Sequence, residues 1–501
     1  MLISAVRQVT KSEFALCFLF VILASYFTYF HNYHLPQAVY WDENYHIASA
    51  QKYLNGIYYM EQHPPLGKML IALGEKILNR NPDDGAYIDT DYATSFPEDF
   101  SFAGYRFFPA LLAWLTAPVL FLAFSVIARR PLLAVLLSFL YIFDNALIVH
   151  LRGAMLEGPL LFFVALTILF FLLLLRSREW PQYFSTLSLW FGISLALVAV
   201  TKLLGVILVL LIPVLLYALF PDGRATRRFL VTAGFGFFLM YFGMWYLHFA
   251  IGARVHPPLP DNGYYQASDE FKKILDTGRT RSLLAFPVML RDSLKFVTHY
   301  NGGVPRLNLC KVDENGSPFY FWPFGARSIS YRWETPDSYS YKYLYLQVNP
   351  VVWFAGFLGI VLASSLLLSS FLFEPRTVIR ERLLLLTFLG LYIAYMVVMS
   401  RIDRVMYLYH YFIPLLFSFF LFALVLMELP RLGAYALTLD RKAIGLLGFA
   451  VLLFISFQFY RPLTYYEPLS DEQFQRRNLL SFWNLQCVRC ERQNGIFIPS
   501  Q

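Results

Sequence analysis

The segment VYWDENYHIASAQKYLNGIYYMEQHPPLGKML, residues 39–70, gathers three carboxylates and two imidazoles: Asp42, Glu43, His46, Glu61 and His63. A carboxylate set beside apolar walls at a membrane interface holds its proton more tightly than in water, which suits a general base. Asp42 and Glu43 follow the aromatic pair Tyr40-Trp41 and meet that description. They also suit a plain interfacial helix start, where acidic side chains favour the positive end of the dipole. Glu43 and His46, three residues apart, could share a helix face and hold a divalent metal. The run HPPLGK reads as a helix start, with its second proline in the first turn and His63 at the anion-friendly end.

Cations recur further along. Arg106 stands in GYRFFPALL, Arg152 and Glu157 in FDNALIVHLRGAMLEGPLLFF behind Asp144, Lys202 in AVTKLLG, and Arg404 in SRIDRVMYLYHYFIPLLF with Arg401, Asp403 and His410. Singly, each suits an anchor whose charged head reaches the interface. Collected on one side of a membrane, they would bind a phosphate while the carboxylates deprotonate an acceptor.

The elements that must position these groups are membrane helices. The chain has 501 residues, 58% hydrophobic and only 15% charged. Apolar runs of bilayer-crossing length are expected at 14–30, 104–128, 132–149, 157–175, 183–201, 203–220, 229–250, 347–371, 383–399, 405–427 and 443–459, about eleven in all. The first run is read as a retained span, because bulky HNYHLP follows it where a signal peptide would have small residues. The stretch 183–220 is divided at Lys202, since an ammonium at the bilayer centre is costly.

Lysine and arginine mark cytoplasmic loops. With the N-terminus inside, Arg7 and Lys11, Arg129 and Arg130, Arg176 and Arg178, the arginines of 224–228, Arg376 with Arg380 and Arg382, and Arg431 with Arg441 and Lys442 all fall on one side. The net charge of +8 is therefore a topology signal, and no nucleic acid is implied. This orientation gives a transmembrane domain over 1–459, outer loops at 31–103 and 251–346, and an outer tail at 460–501. Cys310, Cys487 and Cys490 then face an oxidising compartment, where a disulfide among them is expected. The CVRC pair looks like a metal or redox pair, but a zinc site would need two further ligands. Trp322, Tyr331 and Trp333 could bind an extended polypeptide or a sugar face, with part of their loop covering the active site, or form an interfacial belt.

In combination these motifs resemble the protein O-mannosyltransferases, polyprenyl-phosphate-sugar-dependent glycosyltransferases of the GT-C fold. WDENYH is similar to the family's Asp-Glu motif after the first span, YYMEQHPPLGKML to its acidic-x-His-Pro-Pro-x-Gly-Lys segment, and GYRFFPALL to its Arg-x-x-Pro helix. DNALIVHLRGAMLEGPLLFF, TKLLG, SPFYFWPFGARSISYRWE, VNPVVWFAGFLGIV and YLYHYFIPLLF follow in order, from about residue 38 to about 425. The short second outer loop is most similar to compact bacterial members. Two positions depart from the commoner pattern: Glu61-Gln62 replaces Asp-Val before His63, and Glu157 replaces Asp.

The resemblance implies an all-α polytopic GT-C enzyme in a bacterial cytoplasmic membrane, with its site on the periplasmic or extracellular face. It would transfer a hexose, mannose by family, with inversion from a polyprenyl-phosphate donor to Ser/Thr hydroxyls of exported proteins. Asp42 is implied as general base, with Glu43 and Glu61 supporting it or orienting acceptor and sugar. His63, Arg152, Lys202 and Arg404 are implied at the donor phosphate, and Arg106, grouped with them as a substrate-binding residue, is implied as an orienter that pairs with a carboxylate. No resident cofactor is required and no metal ligand is assigned, although a divalent metal stays open. Oligomeric state is open too. A related enzyme glycosylating a lipid or glycan, as aminoarabinose transferases do, would share the donor and change the acceptor. A non-catalytic polyprenyl-lipid transporter would favour inverted repeats, and the chain has no internal repeat.

Overall fold

The computed structural model describes residues 10–219, 221–256, 262–311, 314–337, 339–373, 378–488, 490–493 and 496–499. Arg7 and Arg376, counted among the basic loop residues, lie outside the described residues, as do the side chains of Arg178 and Cys490.

The helices are α1 (Lys11–Ser25, extended by a π-helical turn to Phe30), α2 (Glu43–Leu54), α3 (Leu66–Leu78), α4 (Ala103–Ala128), α5 (Pro131–Ile142), α6 (Asn145–Leu151), α7 (Glu157–Leu175) and α8 (Phe184–Ala199). They continue as α9 (Leu211–Leu219), α10 (Gly223–Ile251), α11 (Asp269–Asp276), α12 (Phe286–Gly303), α13 (Pro350–Leu372), α14 (Arg382–Met399), α15 (Phe412–Glu428) and α16 (Leu439–Tyr465). Among the described residues, nine helices are long and apolar enough to cross a bilayer, or ten with the bent pair α5–α6. The protein is a multi-pass membrane protein.

The expected count of about eleven differs for two physical reasons. At Asp144 the chain breaks by 64° between α5 and α6. The Asp144 carboxylate caps α6 by accepting from the Leu147 backbone N–H at 2.8 Å, and it also accepts from Trp353 Nε1 at 2.9 Å. A helix start is thereby satisfied inside the protein. The segment Leu203–Leu219 is only a short apolar element, a 3-10 stretch (Leu203–Leu210) leading into α9. Lys202 does mark the break, in extended conformation just beyond α8.

The chain forms two compact units. One comprises residues 1–31, 114–150 and 306–501, the other 32–113 and 151–305. The first holds α13–α16 and an antiparallel hairpin, β1 (Ile329–Glu334) and β2 (Tyr341–Leu346), with Ile329 opposite Leu346 and a bulge between Ser330 and Arg332. The second holds α2, α3, α7, α8 and α10–α12. Its core beneath α2 and α3 includes Ile47, Tyr53, Tyr59, Ile71, Phe100, Phe102, Tyr105 and Leu156. Gly74 lets α3 reach α4, since a Cβ there would stand 2.3 Å from the Gly104 carbonyl oxygen. Cys487 is disulfide-bonded, whereas Cys310 is a free thiol, as is Cys17.

Candidate functional site

Asp42 occupies the N-cap position of α2, and its backbone carbonyl accepts from the amides of Tyr45 (3.1 Å) and His46 (3.2 Å). The residue before it, Trp41, has φ of 51°. A bulky L-residue in this left-handed region costs roughly 1–2 kcal/mol, so the surrounding packing fixes the direction in which Asp42 leaves the chain. The Asp42 side chain is half-buried.

Glu43, one residue on, is fully enclosed, and so is Arg106 in the first turn of α4. The guanidinium donates to Glu43 from Nε (2.6 Å) and Nη2 (2.7 Å), to the carbonyls of His34 (2.8 Å) and Pro36 (2.6 Å) from Nη1, and to the Ala38 carbonyl (2.7 Å) from Nη2. All five N–H donors of the arginine are thus used. Glu43 also accepts from the amides of Tyr40 (3.1 Å) and Ala154 (2.9 Å). The pair therefore clamps the loop ahead of α2 onto α4 and the turn ahead of α7. The expected pairing of Arg106 with a carboxylate is met by Glu43, while direct contact of either residue with donor phosphate or substrate does not fit this geometry, because their hydrogen-bonding capacity is spent on the fold. Both hold the loop that ends at Asp42.

His46 does not join Glu43 at a metal. Its Nδ1 lies 2.7 Å from the Ala154 carbonyl oxygen. A carbonyl can only accept, so Nδ1 carries the proton and Nε2 presents a lone pair. Burial first, and the Lys68 charge second, push the imidazole down to about 3, which keeps it neutral. His63 is likewise held well below the ordinary histidine range, by burial and then by Lys202 and Lys68. It would meet a phosphate as a neutral hydrogen-bonding group. Among the described residues no three His, Cys, Asp or Glu side chains gather as a metal site would require.

Two ion pairs flank these imidazoles. Glu61 pairs with Lys68, which also donates to Ser49 Oγ at 3.0 Å, and Glu61 Oε1 accepts from the amides of Gln62 (2.9 Å) and His63 (3.3 Å). Lys202 pairs with Glu157, the first residue of α7, and both are buried. The His-Pro-Pro segment docks beside this second pair, with the Leu66 amide donating to the Val200 carbonyl at 2.9 Å. Pro65 stands at the N-cap of α3 with helical φ and ψ, one position before the expected first turn. Arg152, buried in the turn before α7, donates to the Asn32 carbonyl at 2.5 Å. Its charge reaches Tyr40.

A cavity of about 480 Å³ opens beside the Glu61–Lys68 pair, lined by Tyr45, Ser49, Gln62, Asp91 and, from α12, Phe296 and Tyr300 among others. Burial, and after it the Asp42 carboxylate three residues earlier in the chain, push the phenol of the cavity-lining Tyr45 up. One unit therefore brings together Asp42, Glu43, Glu61, His63, Arg106, Arg152 and Lys202. Arg404 belongs to the other unit, where its backbone bridges to that of Arg306.

Sequence reasoning missed Lys68, Ser49, Tyr45, and Lys52 paired with Asp91. Lys68 did leave a signal. A lysine in the first turn of α3 opposes the helix dipole, and such a residue calls for a carboxylate partner.

Residues 19–244 match the family described as dolichyl-phosphate-mannose-protein mannosyltransferase, and residues 293–483 match the C-terminal four-transmembrane region of protein-O-mannosyltransferase. The chain is 30% identical over 176 residues to dolichyl-phosphate-mannose–protein mannosyltransferase 4 of Schizosaccharomyces pombe, which covers 35% of this chain and 22% of that protein. It is 30% identical over 148 residues to mannosyltransferase 1 of Candida albicans, covering 30% and 16% respectively. The matched part thus spans less than a quarter of either relative. A chain of the Saccharomyces cerevisiae protein O-mannosyltransferase Pmt1-Pmt2 complex bound to the sugar donor superposes with a TM-score of 0.80 at 16% identity, covering 96% of this chain and 94% of that one. The fold is therefore GT-C, and with both family models matched in order, the chain belongs to the protein O-mannosyltransferase family.

Proposed function

We propose that the protein transfers mannose, with inversion, from a polyprenyl-phosphate donor to Ser/Thr hydroxyls of exported proteins, Asp42 acting as general base. The observation that carries this reading is the clamp beside Asp42. Glu43 and Arg106 spend their donors and acceptors on clamping the loop ahead of α2 to α4 and to the turn ahead of α7, and that loop ends at the half-buried Asp42, three residues before Tyr45 of the cavity wall. Rigid support of this kind is what general-base catalysis asks of its scaffold.

The donor's phosphate monoester leaves as a stable anion, so no second acid is needed. Lys202, Arg152 and neutral His63 neutralise and hydrogen-bond it, and proximity and preorganised charge supply the rate. Glu61, held by Lys68, orients acceptor or sugar at the cavity. Arg404 is a further candidate cation for the donor phosphate. The reaction runs without a resident cofactor, and prolonged chelator treatment is expected to leave the transfer rate unchanged. The site faces the extra-cytoplasmic side of a bacterial cytoplasmic membrane, a reading supported by the distribution of loop arginines and by the likeness of the second outer loop (251–346) to compact bacterial members.

Incubating purified protein with labelled polyprenyl-phosphate-mannose and native membranes tests the acceptor. Alkali-labile label on protein is expected. Label confined to lipid or glycan would refute the protein acceptor.

A further inference from the structure

The turn between α11 and α12 holds the two most exposed leucines among the described residues, Leu283 at 76% and Leu284 at 93%. From Ser282 to Leu290 the chain carries no charge, while Arg279 and Arg281 precede the run and Arg291 follows it. Arg291 is engaged by Asp292 and Glu270, and Arg281 is exposed. This pattern of bare leucines beside arginines suits a bilayer boundary better than water.

The place of the turn along α10 fits that reading. In α10 no charged residue follows Arg228, and the stretch from Phe229 to His248, at 1.5 Å per residue, covers about 30 Å, the thickness of the hydrocarbon layer. Tyr246 near its end donates its hydroxyl to the Arg281 carbonyl at 2.9 Å. The Phe286 ring packs 6.0 Å from Phe242, 6.4 Å from Tyr246 and 6.0 Å from Phe249. Phe242 lies about 9 Å inside the His248 end of that stretch. Phe235, Phe238 and Phe242 stand exposed along the same helix, so the surface that continues into Leu283 and Leu284 is the lipid-facing surface of a span.

We propose that residues 279–286 form a lipid hook. Leu283 and Leu284 enter the hydrocarbon without crossing it, and Arg279 and Arg281 meet the phosphates of the headgroups. The hook has a consequence for the site. It begins α12, whose far end supplies Phe296, His299, Tyr300 and Gly303 to the cavity, so the bilayer holds one wall of that cavity in place.

The test uses full-length protein with Cys17 and Cys310 changed to Ser and the disulfide of Cys487 left intact. Leu284→Cys is labelled with bimane and reconstituted into phosphatidylcholine–phosphatidylglycerol vesicles whose acyl chains are brominated. The exposure of Leu284 leaves packing undisturbed, and thermal unfolding of the labelled protein checks this. The expected result is a loss of emission matching that of a Phe238→Cys label on α10, with little loss from an exposed Lys273→Cys label on α11. Quenching of the Leu284 label no greater than that of the Lys273 label would overturn the proposal.

Discussion

At the scale of single residues, adjacent carboxylates have opposite fates. Asp42 and Glu43 are equivalent by composition, and the sequence offers both for chemistry. What separates them is contact with Arg106, a residue more than sixty positions away in the chain, whose five donors no local pattern reveals. Replacing Glu43 with Gln, or Arg106 with Met, leaves a buried charge without its partner and should cost about 3–5 kcal/mol of stability, read as a fall in melting temperature. A melting curve like that of the wild type would mean that the clamp is not structural. His46 gives a pH test. Its folded value is depressed to about 3 from an ordinary 6.5, so the unfolded chain binds the extra proton between those limits. Its contribution to stability is complete above pH 6.5 and is lost as pH falls towards 3. His46→Asn keeps a donor for the Ala154 carbonyl and cannot titrate, so its acid-side loss of stability should be shallower. An unchanged slope would remove His46 from the account.

At the scale of elements, the helices were legible where hydrophobic length alone decides, as in α4, α7 and α10. Lys202 also announced its break correctly, because an ammonium cannot be left at mid-membrane. The bend at Asp144 was not legible, since it depends on Trp353 and Asn349 from a distant helix start to satisfy the carboxylate. The turn at Lys202 and the start of α7 meet in the Glu157 ion pair, and a donor phosphate would compete with that carboxylate for the lysine. Glu157→Gln leaves Lys202 buried without its carboxylate. The variant should melt earlier than the wild type, and donor lipid should raise its melting temperature by more than it raises the wild type's. Equal increments in the two proteins would place the phosphate away from Lys202.

At the scale of the whole molecule, membrane class and family were readable because composition and motif order survive without any knowledge of contacts. The split into two units was not readable, since each is assembled from separate stretches of chain. That split also sets Arg404 apart from the other predicted residues. Arg404→Gln should weaken donor binding while leaving the melting temperature near that of the wild type, because its side chain is only half-buried. Unchanged donor affinity would remove it from the phosphate site.

The central claim is that Asp42 takes the proton from an acceptor hydroxyl. Single-turnover transfer by Asp42→Asn, measured beside equilibrium binding of the polyprenyl-phosphate donor, tests it most directly. The account predicts a rate lower by about 10²–10⁴-fold with donor affinity preserved. Transfer at close to the wild-type rate, with donor bound as tightly, would contradict it.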